Sequence, residues 1–178
     1  RLFERKFFMK NAEQFEKLVS IVKQLRSDNG CPWDKEQTHQ SLLPYFLEEV
    51  YEVIDSIDKN DSTVLSEELG DVLLHIIFQT EIADEEGEFQ LTQVLNQIIN
   101  KLVRRHPHVF GDERGKKTFH AKQNREAAKQ KEKKRTSRLD GIPVTLPALI
   151  KAQRVQEKAS NVGFNWNDKN KVWDKIYE

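Results

Sequence analysis

Apolar residues recur at helical spacing along most of this chain, and short polar turns interrupt them. Phe15, Leu18, Ile21, Val22 and Leu25 predict a first helix, capped by Asn11 and running to about Arg26. Ser27-Asp28-Asn29-Gly30 ends it, and Cys31-Pro32-Trp33-Asp34 reads as a loop. A second helix is expected to start from a Ser41 cap, with Pro44 in its first turn and Leu43, Phe46, Val50, Val53 and Ile57 on its buried stripe. Asn60-Asp61-Ser62 is a turn sequence. A third helix follows over roughly Thr63 to Ala83, burying Leu65, Leu69, Val72, Leu73 and Ile76, and Asp84 to Glu88 make an acidic turn. A fourth starts near Thr92, buries Leu95, Ile98, Ile99 and Leu102, and is closed by Pro107. Pro143 and Pro147 mark a break before a short helix over Ala148 to Ala159, and Asn170 to Glu178 read as the opening of another. No alternating runs of strand formers compete with this pattern, so the expected fold class is all-α.

Composition narrows the picture modestly. Of 178 residues, 37% are hydrophobic and 33% charged, which suits a helical domain with a small core and a heavily solvated surface. The formal net charge is +0, so there is no global pull toward nucleic acid or membrane. No apolar run approaches membrane-spanning length. Cys31 is the single cysteine, which excludes an internal disulfide and fits a cytoplasmic setting.

The acidic residues change the picture most. Glu49 and Glu52 are three apart, as are Glu68 and Asp71, so each pair shares a helix face. Residue 60 is midway between 52 and 68 and also midway between 49 and 71. An antiparallel hairpin folded at Asn60 therefore sets Glu52 against Glu68 and Glu49 against Asp71. Either pair alone reads as a solvated face. Together they flank two core stripes and converge, and such a cluster repels itself unless a cation sits within it. An all-oxygen set favours Mg²⁺, with Mn²⁺ possible, over Zn²⁺ or iron. Di-iron bundles instead use Glu-x-x-His pairs.

Lys101 and Arg105, spaced i,i+4 beside the fourth helix's stripe, suit the far phosphates of a polyphosphate, or else a snorkelling pair at a helix end. Trp33 suits either the edge of a core or a stack on a nucleobase. His75 is expected to hydrogen-bond locally near the cluster. His39, His106 and His108 show no ligand spacing with one another, and Cys31 reads as structural. Residues 116–138 hold ten Lys/Arg against two Glu, and 124–135 suit a helix. Nucleic-acid or partner binding there is the weaker reading, because Phe119 is the one interleaved aromatic and a solvated linker accounts for the pattern.

These motifs resemble one family. Glu48-Glu49-x-x-Glu52 followed by Glu68-x-x-Asp71 is similar to the signature of all-α nucleoside triphosphate pyrophosphohydrolases. Gly30-Cys31-Pro32-Trp33-Asp34, Gln37-Thr38-His39, Leu42-Leu43-Pro44-Tyr45, Glu67-Glu68-Leu69-Gly70-Asp71 and Arg104-Arg105-His106-Pro107-His108-Val109-Phe110 narrow the likeness to the MazG family. Leu146-Pro147-Ala148-Leu149 and Asn161-Val162-Gly163-Phe164-Asn165-Trp166 resemble that family's entry into a second, similar domain.

The resemblance implies a helical bundle completed by homodimerisation, and a division into an extension (1–11), a catalytic domain (12–112), a basic linker (113–145) and the start of a second domain (146–178). It implies hydrolysis of nucleoside triphosphates to monophosphate and pyrophosphate. Glu49, Glu52, Glu68 and Asp71 match its metal ligands, and Lys101 and Arg105 its triphosphate holders. Glu48 matches the first acid of the motif, and Glu48 and Glu52 are the candidates for activating water. A narrower relative acting on dUTP, dCTP or phosphoribosyl-ATP is the alternative within the same fold. Only Glu178 follows Tyr177, where a second acid motif is expected to begin, so activity is expected from the first site. Residues 112–125 depart from the family pattern.

Overall fold

The computed structural model describes residues 2–111, 137, 139–164, 168, 172, 173 and 177, with backbone alone for 2–8 and 108. The basic segment 116–138, its expected helix over 124–135 and the expected helix over 170–178 lie almost wholly outside the described residues. All the regular structure described is helical: α1 (Leu2–Arg26), α2 (Pro32–Glu36), α3 (Leu43–Asp58), α4 (Ser62–Glu85), α5 (Leu91–Arg105), α6 (Pro107–Phe110) and α7 (Ala148–Ser160). No described helix is long and apolar enough to cross a membrane. The chain divides into two compact units, 1–100 and 101–178.

In the first unit, α3 packs on α4, and α1 packs on both α4 and α2. The α3–α4 hairpin turns where the sequence predicts. Asn60 takes the left-handed conformation at φ 56°, which Asn tolerates better than most residues. The carboxylate of Asp61 accepts from the backbone N–H groups of Thr63 (3.0 Å) and Val64 (3.1 Å), capping α4. The other end of α4 is closed by Gly87 at φ 73°.

Three helix starts differ from expectation. Asn11 lies inside α1 rather than at its cap. Residues 2–10 hold no Gly or Pro, so the helix runs through Asn11 at a small propensity cost. Cys31-Pro32-Trp33-Asp34 is not a plain loop, because Pro32 begins the short helix α2. Ser41 does not cap α3. Its hydroxyl donates to Gln37 Oε1 (2.7 Å) and accepts from the Thr38 N–H (2.9 Å), and Leu42 holds the cap position without a side-chain bond.

Gly30 is required where α1 turns into α2. A Cβ there would collide with the carbonyl oxygens of Gln24 and Leu25.

The core is smaller than the hydrophobic pattern predicts. Val22, Leu42, Ile77, Phe78 and Ile82 form its buried centre, with Phe15, Leu18, Val19, Leu25, Leu73 and Leu74 packed around it. It therefore sits between α1 and the C-terminal half of α4. On α3 only Ser56 is buried, while Leu43 (56%) and Ile57 (54%) are exposed and Val50 is at the border. Leu69 and Ile76 on α4 and Leu95, Ile98, Ile99 and Leu102 on α5 are likewise exposed. Among the described residues α3 packs chiefly on α4, so much of its amphipathic stripe is left open.

Arg26 locks the end of this core. It is 6% exposed, and its guanidinium grips Glu85 with Nε to Oε1 at 2.9 Å and Nη2 to Oε2 at 2.7 Å. Nη1 donates to the carbonyls of Asp34 (2.6 Å) and Gln37 (3.1 Å). One buried cation thus ties α1, α2 and α4 together.

In the second unit, α7 follows Pro147, and Lys158 is buried with Nζ donating to the Asp140 carbonyl at 2.8 Å.

Candidate active site

The acid cluster forms on the α3–α4 hairpin. Glu49, Glu68 and Asp71 each present a carboxylate oxygen within 4.8 Å of the others, and all three are half-buried. Glu52 lies outside that triplet, but its charge raises the carboxyls of both Glu49 and Glu68. The dominant charge felt by Glu49 is Asp71, and that felt by Glu68 is Glu52. The structure therefore brings together the four acids paired across residue 60 as their spacing predicts.

The electrostatics are those of a crowded anionic site. The Glu49 carboxyl is raised above its ordinary value, first by burial and then by Asp71, Glu52 and Glu68. That of Glu68 is raised by desolvation and then by Glu52, Glu67 and Asp71. Repulsion of this kind is relieved by protons or by a divalent cation. The donor set fits Mg²⁺ or Mn²⁺: three carboxylates close enough to share one ion, and a fourth adjacent.

Glu48 is exposed and outside the cluster. With Glu52 it lines an open groove along α3, shared with Pro44, Leu47, Tyr51, Ile54 and Asp55. Glu52 thus belongs both to the cluster and to a surface open to water. Lys101 and Arg105 occupy the last turns of α5, Lys101 exposed and Arg105 half-buried. Trp33 stands on α2, 55% exposed, so it does not plug a core edge.

His75 behaves differently from expectation. It makes no local hydrogen bond: Nδ1 is buried without a partner among the described residues, and the ring stacks on Phe46 with centroids 5.6 Å apart and planes at 26°. Burial lowers its pKa, opposed by the charge of Asp71 one turn away. The aromatic neighbour three residues before Glu49 was the signal for this stack.

A second group of potential ligands, His39 with Glu86 and Glu88, also gathers within 4.8 Å. Both glutamates are exposed. Gln79 bonds His39 Nδ1 through Oε1 and donates from Nε2 to the His39 carbonyl at 3.3 Å, so we read the group as a tie between loop and helix.

Residues 37–110 match the MazG nucleotide pyrophosphohydrolase domain, a span that contains every acid of the cluster together with Lys101 and Arg105. The chain carries a MazG domain. It is 49% identical over 165 residues to the nucleoside triphosphate pyrophosphohydrolase/pyrophosphatase MazG of Thermotoga maritima, covering 92% of this chain and 64% of that protein. It is 44% identical over 169 residues to the nucleoside triphosphate pyrophosphohydrolase of Escherichia coli, covering 93% and 64%. A protein of the same description from Mycolicibacterium smegmatis is 36% identical over 155 residues, 85% of this chain and 47% of its own length. The chain thus spans just under two thirds of the length of the first two relatives.

Proposed function

We propose that this MazG chain hydrolyses nucleoside triphosphates, NTP and dNTP alike, to the monophosphate and pyrophosphate. The observation that carries the reading is the convergence of Glu49, Glu68 and Asp71, with Glu52 beside them, on the α3–α4 hairpin. The names of the relatives support the reaction class.

In this reading Glu49, Glu52, Glu68 and Asp71 hold Mg²⁺ or Mn²⁺. The bound cation would neutralise phosphate oxygens and make water more acidic. Water attacks the α-phosphorus and pyrophosphate leaves. Glu52, or Glu48 one turn before it, takes the proton from the attacking water and fixes its direction. Lys101 and Arg105 hold the distal phosphates and stabilise the charge that develops on the leaving pyrophosphate. Trp33 belongs to the nucleoside side of the substrate.

The open apolar stripes of α3, α4 and α5 support the further reading that a second copy completes the bundle. A reducing, cytoplasmic setting agrees with the free thiol of Cys31. Activity confined to one nucleotide, such as dUTP, dCTP or phosphoribosyl-ATP, is the competing substrate assignment, and a panel of NTPs, dNTPs and phosphoribosyl-ATP with separation of products separates the two. Glu52→Gln tests the metal assignment: wild-type turnover by this variant at saturating Mg²⁺ would overturn it.

A further inference from the structure

Among the described residues, His75 Nδ1 is the one buried side-chain polar atom without a hydrogen-bond partner. Buried polar groups are nearly always paired, so an exception calls for a cause.

The place of His75 in the hairpin supplies one. Counting away from the Asn60 turn, Glu52 faces Glu68 and Glu49 faces Asp71. The next rung is Phe46 against His75, stacked with centroids 5.6 Å apart and planes at 26°. On α4, Glu68, Asp71 and His75 fall within about 60° of one another, and His75 lies about 6 Å along the axis from Asp71. Ring side chains on a helix lean toward the turn before their own Cα, and for His75 that turn carries Asp71. Burial holds the pKa of His75 below its usual value against the charge of Asp71, so the ring is neutral at neutral pH. It then keeps one N–H and one acceptor nitrogen.

The stack on Phe46 restrains the plane of this ring. A neutral imidazole with a spare nitrogen is thus held one turn from the acids. Direct ligation is not its role, because the carboxylates close enough to share one ion are those of Glu49, Glu68 and Asp71, without His75. An outer role fits the ion chemistry. Mg²⁺ bound by a few carboxylates keeps several waters, and residues that hydrogen-bond the inner ligands tune affinity for the ion.

We propose that His75 is a positioning residue for the acid cluster, its Nδ1 accepting a hydrogen bond from a water of a Mg²⁺ ion held at Asp71. The proposal rests on the metal reading of the acid cluster. It has a specific consequence: the nitrogen costs stability in the metal-free fold and returns affinity for the ion.

The test is Mg²⁺ affinity of the full chain by titration calorimetry, paired with its melting temperature in chelator. His75→Phe keeps a ring against Phe46 and removes both nitrogens. Its Mg²⁺ affinity is expected to fall by about tenfold or more, the scale of a lost outer-shell partner. Its metal-free melting temperature is expected to stay at or above wild type, because the unpaired nitrogen is gone. A merely structural role would not give these opposite signs. His75→Asn places an amide oxygen near the position of Nδ1 and is expected to recover most of the affinity, although it loses the stack. Asp71→Asn serves as the control for loss of an inner ligand. Wild-type Mg²⁺ affinity in His75→Phe overturns the proposal alone. So does a loss of affinity accompanied by a lower metal-free melting temperature, which would assign the ring to packing. A change in molar mass of His75→Phe also overturns it, by assigning Nδ1 to a subunit contact. Absence of Mg²⁺ binding by the wild type overturns the metal reading and the proposal with it.

Discussion

Glu52 of α3 faces Glu68 of α4 across the Asn60 turn, and its like charge is the largest one that raises the Glu68 carboxyl. Such a contact is unfavourable when both are ionised and nothing positive intervenes. In the proposed reading a divalent cation relieves this repulsion.

Metal-free stability follows from the raised carboxyls of Glu49 and Glu68. A raised carboxyl in the fold means that the folded chain binds the proton more tightly than the unfolded one. The associated stability is fully present below the ordinary carboxylate value of 4.5 and is lost as pH rises through the elevated values. With chelator present, Glu49→Gln is expected to melt above wild type near neutral pH, with the gap closing on acidification. Saturating Mg²⁺ is expected to reverse the order, because only the native site binds it tightly. Thermal melts across pH, with and without Mg²⁺, check this, and a pH-independent gap would contradict it.

Gly70 sits in mid-helix on α4, where a Cβ would meet nothing within 4 Å. Close helix approach among the described residues therefore does not explain it. Gly70→Ala is expected to stabilise the protein by up to about 1 kcal/mol in denaturant titration. A loss of stability would mean that another chain occupies the space.

Arg26→Met removes the grip on Glu85 and leaves the carbonyls of Asp34 and Gln37 without their donor. The expected cost is about 2–4 kcal/mol, the range for breaking a buried charged network. Hydrogen exchange is expected to rise first at α2. Exchange rising uniformly over the molecule would contradict the local role.

Leu47, Tyr51 and Ile54 form an exposed apolar strip on the outer side of α3. Light scattering is expected to report a dimer, and Ile54→Glu is expected to shift it to monomer. A monomeric wild type at all concentrations would contradict the dimer.

The residues that were legible in sequence are those set by local rules. The four acids could be placed because a helix period and a turn at Asn60 fix their pairing without any knowledge of distant neighbours. Asp61 and Gly87 likewise close their helix ends through short-range geometry. The extent of the core was not legible in this way. An amphipathic stripe such as Leu43, Val50 and Ile57 shows which face is apolar but not how many neighbours cover it. Arg26 and Glu85 are 59 residues apart, and nothing in their local patterns couples them. The helix α2 was hidden by its length: five residues starting at Pro32 carry too little periodicity to differ from a loop. His75 was misread because its spacing from Asp71 suggested a polar flank, whereas the decisive contact is with Phe46 on the other helix.

The most direct test of the central claim is product identity. The full chain would be incubated with each common NTP and dNTP plus Mg²⁺, with Asp71→Asn and Glu52→Gln as controls, and the products separated by anion exchange. The account predicts monophosphate and pyrophosphate from the wild type, and loss of both in the two variants. Release of diphosphate and inorganic phosphate, or equal turnover by the variants, would contradict it.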